Sequence, residues 1–180
     1  MEIKKVKEAT IKDLRSIIDD LNNIQFVEKS SYKFNTEDLQ NIQLVEIFLN
    51  RLKDRIDHKK FKYLYTFSLP NNPPSDNIYN RYKTAKGNKK HNRAYARLNG
   101  KSHCLYVGSS RGLISRIKQH FGFGPKGTYA MQLSHWWEKG LVITIDIYAF
   151  DNNISTKAFQ AFEDGAWSSL KPMFGRQGKR

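Results

Sequence analysis

The sequence predicts a mixed α/β (α+β) chain: a small, mainly antiparallel three-stranded sheet flanked by helices, with an N-terminal helical extension. Three observations lead there. FKYLYTFSL at 61–69 and LVITIDIYAF at 141–150 have the length, aromatic content and β-branching of strands. A third apolar run, Cys104–Val107, ends at a glycine. Most of the remainder spaces its apolar residues three and four apart, the helical period. The G-x-G-x-x-G fingerprint and the repeated βαβ unit of a doubly wound parallel sheet are both missing.

Taken in order, residues 10–25 predict an amphipathic helix striped by Ile11, Leu14, Ile17, Ile18, Leu21 and Ile24, with Thr10 and Asp13 at capping-box spacing. A polar break through Ser30 and Ser31 follows. A second helix is expected over 35–57, where Leu39, Ile42, Val45, Leu49, Leu52 and Ile56 form a stripe that would pack most simply against the first helix. After the 61–69 strand, NNPPS reads as a loop, and Ser75 as the cap of a helix over 76–88 with Ile78, Tyr82 and Ala85 inward. GNKKHNR reads as a basic loop. Asn99-Gly100 then suggests a hairpin turn. Residues 128–139 predict a helix with Met131, His135, Trp136 and Trp137 mostly in the core, 141–150 the central strand, and 155–170 a last helix with Phe159, Phe162, Ala166 and Leu170 inward.

Composition narrows the function. The chain has 180 residues and a formal charge of +14. The excess is concentrated: residues 51–101 carry 14 basic and 3 acidic side chains, whereas residues 1–50 carry 7 basic and 9 acidic. A concentrated basic region fits a polyanionic partner, with nucleic acid the commonest. The 83–97 stretch is rich in Asn, Gly and Tyr and lacks the apolar face of a membrane-surface helix. The single cysteine, Cys104, excludes an internal disulfide and a multi-cysteine zinc site. MEIKKVKEATIKDL has no apolar run, so no leader is expected, and the expected compartment is cytoplasmic.

The segment Ser102–Phe121, SHCLYVGSSRGLISRIKQHF, reads as strand, glycine turn and helix. Ser109 or Ser110 is placed to cap that helix. Arg116 and His120, four apart, share one of its faces. Glu163, a carboxylate among Phe159, Phe162, Ala166 and Trp167, is a candidate metal ligand or an ordinary boundary glutamate. Other nuclease constellations do not occur: Asp146 is followed by no E-x-K, and there is no His-Asn-His spacing or chain of aspartates.

The run YVGSSRGLISRIKQH resembles the second half of the GIY-YIG nuclease motif, matching at Tyr106, Val107, Gly108, Leu113, Arg116 and His120. The resemblance covers about residues 61–176. It implies a GIY-YIG-like nuclease domain over 59–180 with a basic insertion at about 70–100, preceded by the helical extension at 1–58. It further implies a metal-dependent DNA endonuclease in which Glu163 holds one Mg²⁺ or Mn²⁺. Tyr106 and a first-strand tyrosine would orient or deprotonate water, Arg116 would stabilise phosphate charge, and His120 would orient phosphate or relay a proton. For the first tyrosine the pattern favours Tyr65, although Tyr65 and Tyr106 are 41 positions apart and Tyr95 has the family's usual short spacing. The literal glycine of the first motif is missing. The family's late asparagine falls at Gly175 or is absent, with Gln177 nearby. Lys83, Lys86, Lys89, Lys90, Arg93, Arg97 and Lys126 are the expected nucleic-acid contacts. A non-catalytic nucleic-acid-binding module on a decayed nuclease scaffold is the alternative reading, and a protein-interaction role for the 39–56 face a third. A homodimer is one arrangement left open, since one site cuts one strand.

Overall fold

The computed structural model describes residues 1–70, 75–137 and 140–178. The loop expected at 71–74 and the capping side chain of Ser75 lie outside the described residues. The sheet has four strands rather than three, all antiparallel: β1 (Phe26–Asn35), β2 (Phe61–Ser68), β3 (Cys104–Ser109) and β4 (Val142–Asp151), in the spatial order β1-β4-β2-β3. β4 is central, and Ile143, Ile145 and Ile147 share one buried face, as the period of two dictates.

The added strand is the main correction. The 26–35 segment was expected as a break and the start of a helix. Instead, Tyr32, Phe34 and their neighbours pair with β4, Phe34 opposite Ile143. Phe34 alone is fully buried in this strand; it stacks on Phe121 at 4.5 Å. The 35–57 helix is correspondingly divided. Asn35 and Asn41 each accept a hydrogen bond from the backbone two residues on, which starts a short 3₁₀ turn (Thr36–Gln40) and then helix α2 (Ile42–Lys53). Residues 1–58 therefore supply a strand to the sheet as well as helices.

Two layers of helix cover the sheet. Helix α1 (Ile3–Asn22) begins earlier than expected; Thr10 lies inside it and donates to the Val6 carbonyl instead of capping. Ile17 and Leu21 pack with α5 (Thr156–Leu170) on the face formed by Leu64, Val107 and Phe150. Lys157 and Asp13 join the two helices at 2.6 Å. α2 lies on the opposite face, beside α4 (Leu113–Phe121) rather than α1, with Val45, Leu49 and Leu52 buried. α3 (Ser75–Gly87) buries Ile78, Tyr82 and Ala85 as expected, and Tyr82 donates to the Ala96 carbonyl at 2.8 Å.

Two further expectations fail. No hairpin forms at Asn99-Gly100: Tyr95 bridges to Ala130 and Leu98 to Phe174. The helix expected over 128–139 does not form across its described residues, 128–137. Gln132 has φ 57°, and its amide donates to Ala94 and Thr128 carbonyls, leaving one 3₁₀ turn at Leu133–His135. The segment after α5 crosses the outer edge of β3, where Met173 and Phe174 N–H groups donate to Cys104 and Leu105 carbonyls at 2.8 and 2.9 Å. Asn99 clamps that segment through the Pro172 and Gly175 carbonyls. Among the described residues, no helix is long and apolar enough to cross a membrane.

If β1 is an integral strand, Phe34→Ala destabilises the chain by about 3–5 kcal/mol in urea unfolding, the usual cost of emptying a buried aromatic site. A loss under about 1 kcal/mol would mean that β1 is not docked.

Candidate active site

The candidate residues converge because of register. In the β2–β3 pairing Tyr65 lies opposite Gly108 and Phe67 opposite Tyr106. The Tyr65 and Tyr106 rings stack with centroids 6.0 Å apart. A Cβ at position 108 would lie 2.8 Å from Cε1 of Tyr106 and 3.0 Å from Oη of Tyr65, so the two rings need a glycine there. Gly122, at φ 105°, ends α4 in the left-handed conformation that favours glycine. Neither Ser109 nor Ser110 caps α4, whose N-cap is Gly112; Ser110 accepts from the Gly112 N–H, and Ser109 turns to Glu163.

Helix α4 brings Arg116 and His120 to the tyrosines. Arg116 is half-buried. It donates to Tyr106 Oη at 3.1 Å, Gln119 Oε1 at 2.9 Å and the Tyr129 carbonyl at 3.0 Å. Burial opposes its charge, but the phenolic oxygens of Tyr106 and Tyr65 outweigh that and raise its pKa. His120 is fully buried. Its Nδ1 accepts from the Met131 N–H at 3.3 Å, which leaves the ring proton on Nε2, 3.2 Å from Tyr65 Oη. Burial, with Arg116 adding to it, holds His120 well below the ordinary histidine value. Burial likewise holds the Tyr65 phenol well above its ordinary value; Tyr106 adds to this and Arg116 opposes it.

Glu163 approaches from α5 on the other side of the β3 edge. Ser109 Oγ donates to its Oε2 at 2.5 Å, and Gln160 Nε2 lies 3.4 Å from the same oxygen. Burial pushes the carboxyl up, the Ser109 bonds pull it down, and neighbouring Asp164 raises it further. Its charge reaches Tyr65, whose ionisation it also disfavours. Among the described residues no three His, Cys, Asp or Glu side chains gather as a closed metal site. A half-buried single carboxylate beside a hydroxyl does fit a hard, largely hydrated cation, because Mg²⁺ is commonly held by one or two carboxylates and keeps several waters.

The structure thus brings together Tyr65, Tyr106, Arg116, His120 and Glu163. Tyr95 lies elsewhere; it packs edge-on against Tyr82 and donates to the Lys90 carbonyl. His120 meets Tyr65 and the Tyr106 ring, the latter with centroids 4.1 Å apart, rather than solvent, so any effect it has on a substrate passes through the two tyrosines. The basic residues divide. Lys83, Lys89, Lys90, Arg97 and Lys126 are exposed, whereas Lys86 is tied to the Ala96 carbonyl and Arg93 to the Gly124 carbonyl and Gln132. Lys86, Arg97 and Arg176 line a cleft of about 400 Å³ with Tyr95 and Tyr129. That cleft adjoins Arg116 through Tyr129. Gln177 donates to Asp164 O and Ser168 and stands away from the cluster, while Gly175 abuts the Tyr106 ring. Cys104 packs in the sheet, and burial pushes its thiol up to about 12.

Sequence reasoning missed Ser109, Gln160, Gln119 and Arg176. Gln160 had one usable signal, its spacing of three from Glu163 on a single helix face. Compared with family models, curated proteins and solved structures, this chain has no match.

His120 supplies a test independent of activity. Its folded pKa lies below the unfolded 6.5, so the unfolded chain takes up its proton first as pH falls. Stability therefore declines with falling pH below about 6.5, by up to ~1.4 kcal/mol per pH unit from this group. His120→Gln should flatten the slope of urea stability between pH 6.5 and 5, even if the variant is less stable at pH 7. An unchanged slope would show that His120 is not held neutral.

Proposed function

We propose that this chain is a metal-dependent endonuclease that hydrolyses phosphodiester bonds in DNA. The observation that carries the reading is the gathering of two stacked tyrosines, an arginine, a neutral histidine and a glutamate from β2, β3, α4 and α5 around one strand edge.

In this reading, hydrolysis joins a water oxygen to phosphorus and breaks a P–O bond to the sugar, with the water proton leaving and the sugar oxygen gaining one. Tyr106 is only half-buried, so its phenol orients the attacking water or accepts its proton. Tyr65 has no solvent exposure and a strongly raised pKa; it positions Tyr106 by stacking, and His120 positions Tyr65. Arg116, fixed by Tyr106, Gln119 and Tyr129, is a preorganised cation for charge building on the phosphate. Glu163, steadied by Ser109 and Gln160, would hold Mg²⁺ or Mn²⁺. A bound divalent ion supplies charge that offsets the build-up on phosphate oxygens. The exposed cations and the cleft of Lys86, Arg97 and Arg176 would take backbone phosphates beyond the reacting one.

One observation favours a second reading, a non-catalytic nucleic-acid-binding module on a decayed nuclease scaffold. The position matched to the family's late asparagine is Gly175, at φ 99°, where a Cβ would lie 2.8 Å from Tyr106 Cε2. No side chain is available there.

Supercoiled plasmid with Mg²⁺ or Mn²⁺ separates the two. Nicking is expected, lost with EDTA and with Glu163→Ala, and reduced about 10²–10³-fold by Arg116→Ala, the range for removing one preorganised donor. Binding without cleavage, unchanged by Glu163→Ala, selects the second reading. Affinity for DNA should also fall steeply with salt. Arg97→Ala and Arg176→Ala should each lower the log–log salt slope by about 1; an unaltered slope would remove the cleft from the DNA path.

A further inference from the structure

β2 outruns its neighbour. β3 ends where Ser109 pairs with Leu64, so Phe61, Lys62 and Tyr63 pair with β4 on one side and have no β3 partner on the other. The space beside them is a pocket of about 400 Å³, within the ~300–1,000 Å³ that small ligands occupy. Its lining combines two chemistries. Phe61, Tyr63 and Phe159 are aromatic; Tyr63 and Phe159 are buried, and half-buried Phe61, edge-to-face with Tyr63 at 6.4 Å, presents the accessible ring. Lys62, Arg111, Ser110 and the first turn of α5 at Thr156 supply positive charge and hydrogen-bond donors. Among the described residues no carboxylate lines the pocket.

Among the described residues neither cation forms a salt bridge, although the charge of Asp20 reaches Lys62. Lys62 donates to the Ile154 carbonyl, and Arg111 makes no hydrogen bond or ion pair with a described residue. Burial lowers the Lys62 pKa and the charge of Arg111 lowers it further, while Asp20, which accepts from the Ser155 N–H, opposes them in part. Like charges held together beside an aromatic wall are unfavourable until an anion joins them. None of these residues takes part in the tyrosine–arginine cluster, yet Ser109 borders the pocket and bonds Glu163.

We propose that this notch is a nucleotide pocket: Lys62 and Arg111 take a phosphate, and the aromatic wall takes the attached base. Stacking a base on aromatic side chains contributes about 1–3 kcal/mol and tolerates any sequence. The source of the nucleotide rests on the function proposed above: on that reading it is the residue of the DNA strand next to the cleaved phosphate, because one serine borders both the pocket and Glu163.

Calorimetric titration of the full chain tests this, with dTMP, thymidine and inorganic phosphate as separate probes. dTMP should bind more tightly than either part alone. Arg111→Glu, at an exposed position without bonds to lose, should weaken dTMP about 10-fold, as expected for losing a charge-assisted contact. Phe61→Leu should bring dTMP affinity towards that of phosphate. Lys7→Glu, on α1, should change nothing. Equal binding of dTMP and phosphate, or indifference to Arg111→Glu, overturns the pocket. Plasmid nicking without dTMP binding leaves the nuclease reading intact and removes the pocket; dTMP binding without nicking does the reverse. Displacement of dTMP by a duplex oligonucleotide assigns the nucleotide to the polymer, and its persistence assigns it to the free pool, the pocket standing in both cases.

Discussion

The pairing of Tyr65 with Gly108 is the constraint on which the rest depends. It puts two phenol rings over a residue without a side chain, and only that missing Cβ lets them stack. The rings then define where an approaching helix can end. α4 lies so that Arg116 reaches Tyr106 and His120 reaches Tyr65, one turn apart. Shift β2 by one residue and Tyr65 would turn to the opposite face, towards α5 and away from α4 and Tyr106.

Burial sorts the titratable groups into roles. Desolvation keeps His120 neutral and Tyr65 protonated, so at neutral pH the inner half of the cluster is a fixed hydrogen-bonded wall. Charge is confined to the outer half, at Arg116 and Glu163, the two groups that face a substrate phosphate in the proposed reaction. Glu163 is held by neutral donors, Ser109 and Gln160, rather than by a lysine. A carboxylate so placed keeps its attraction for a cation instead of spending it on a salt bridge.

What the sequence made legible follows from how each element is buried. β2 and β4 are nearly continuous apolar runs, and α3 and α5 show clean helical periods, so all four could be read. β1 could not, because nine of its ten residues remain at least partly exposed and the alternation, confined to Ser30–Asn35, carries only two large apolar side chains, Tyr32 and Phe34. The 128–139 helix was misread because Gln132 satisfies two carbonyls in a left-handed conformation that residue spacing cannot reveal. In the site, Arg116 and His120 were legible through their spacing, and Tyr106 through the glycine beside it. Ser109, Arg176 and the Lys62–Arg111 pair become neighbours of their partners only once the sheet has formed, and Arg93 looked like a surface cation although it braces Gly124 and Gln132.

The two rims of the sheet are finished differently. At β3, the Met173–Phe174 strap occupies the carbonyls of Cys104 and Leu105. At β1 charge takes the place of a strap: Glu28, Lys29 and Lys33 stud the strand, following the exposed Phe26 and Val27 at its start. Unprotected strand rims are templates for aggregation, and natural sheets blunt them with charge or cover. The strap therefore has a protective role separate from any chemistry: loosening it, for instance by losing the Asn99 clamp, would bare a hydrogen-bonding rim beside an aromatic core, and the first symptom would be insolubility rather than a weaker site.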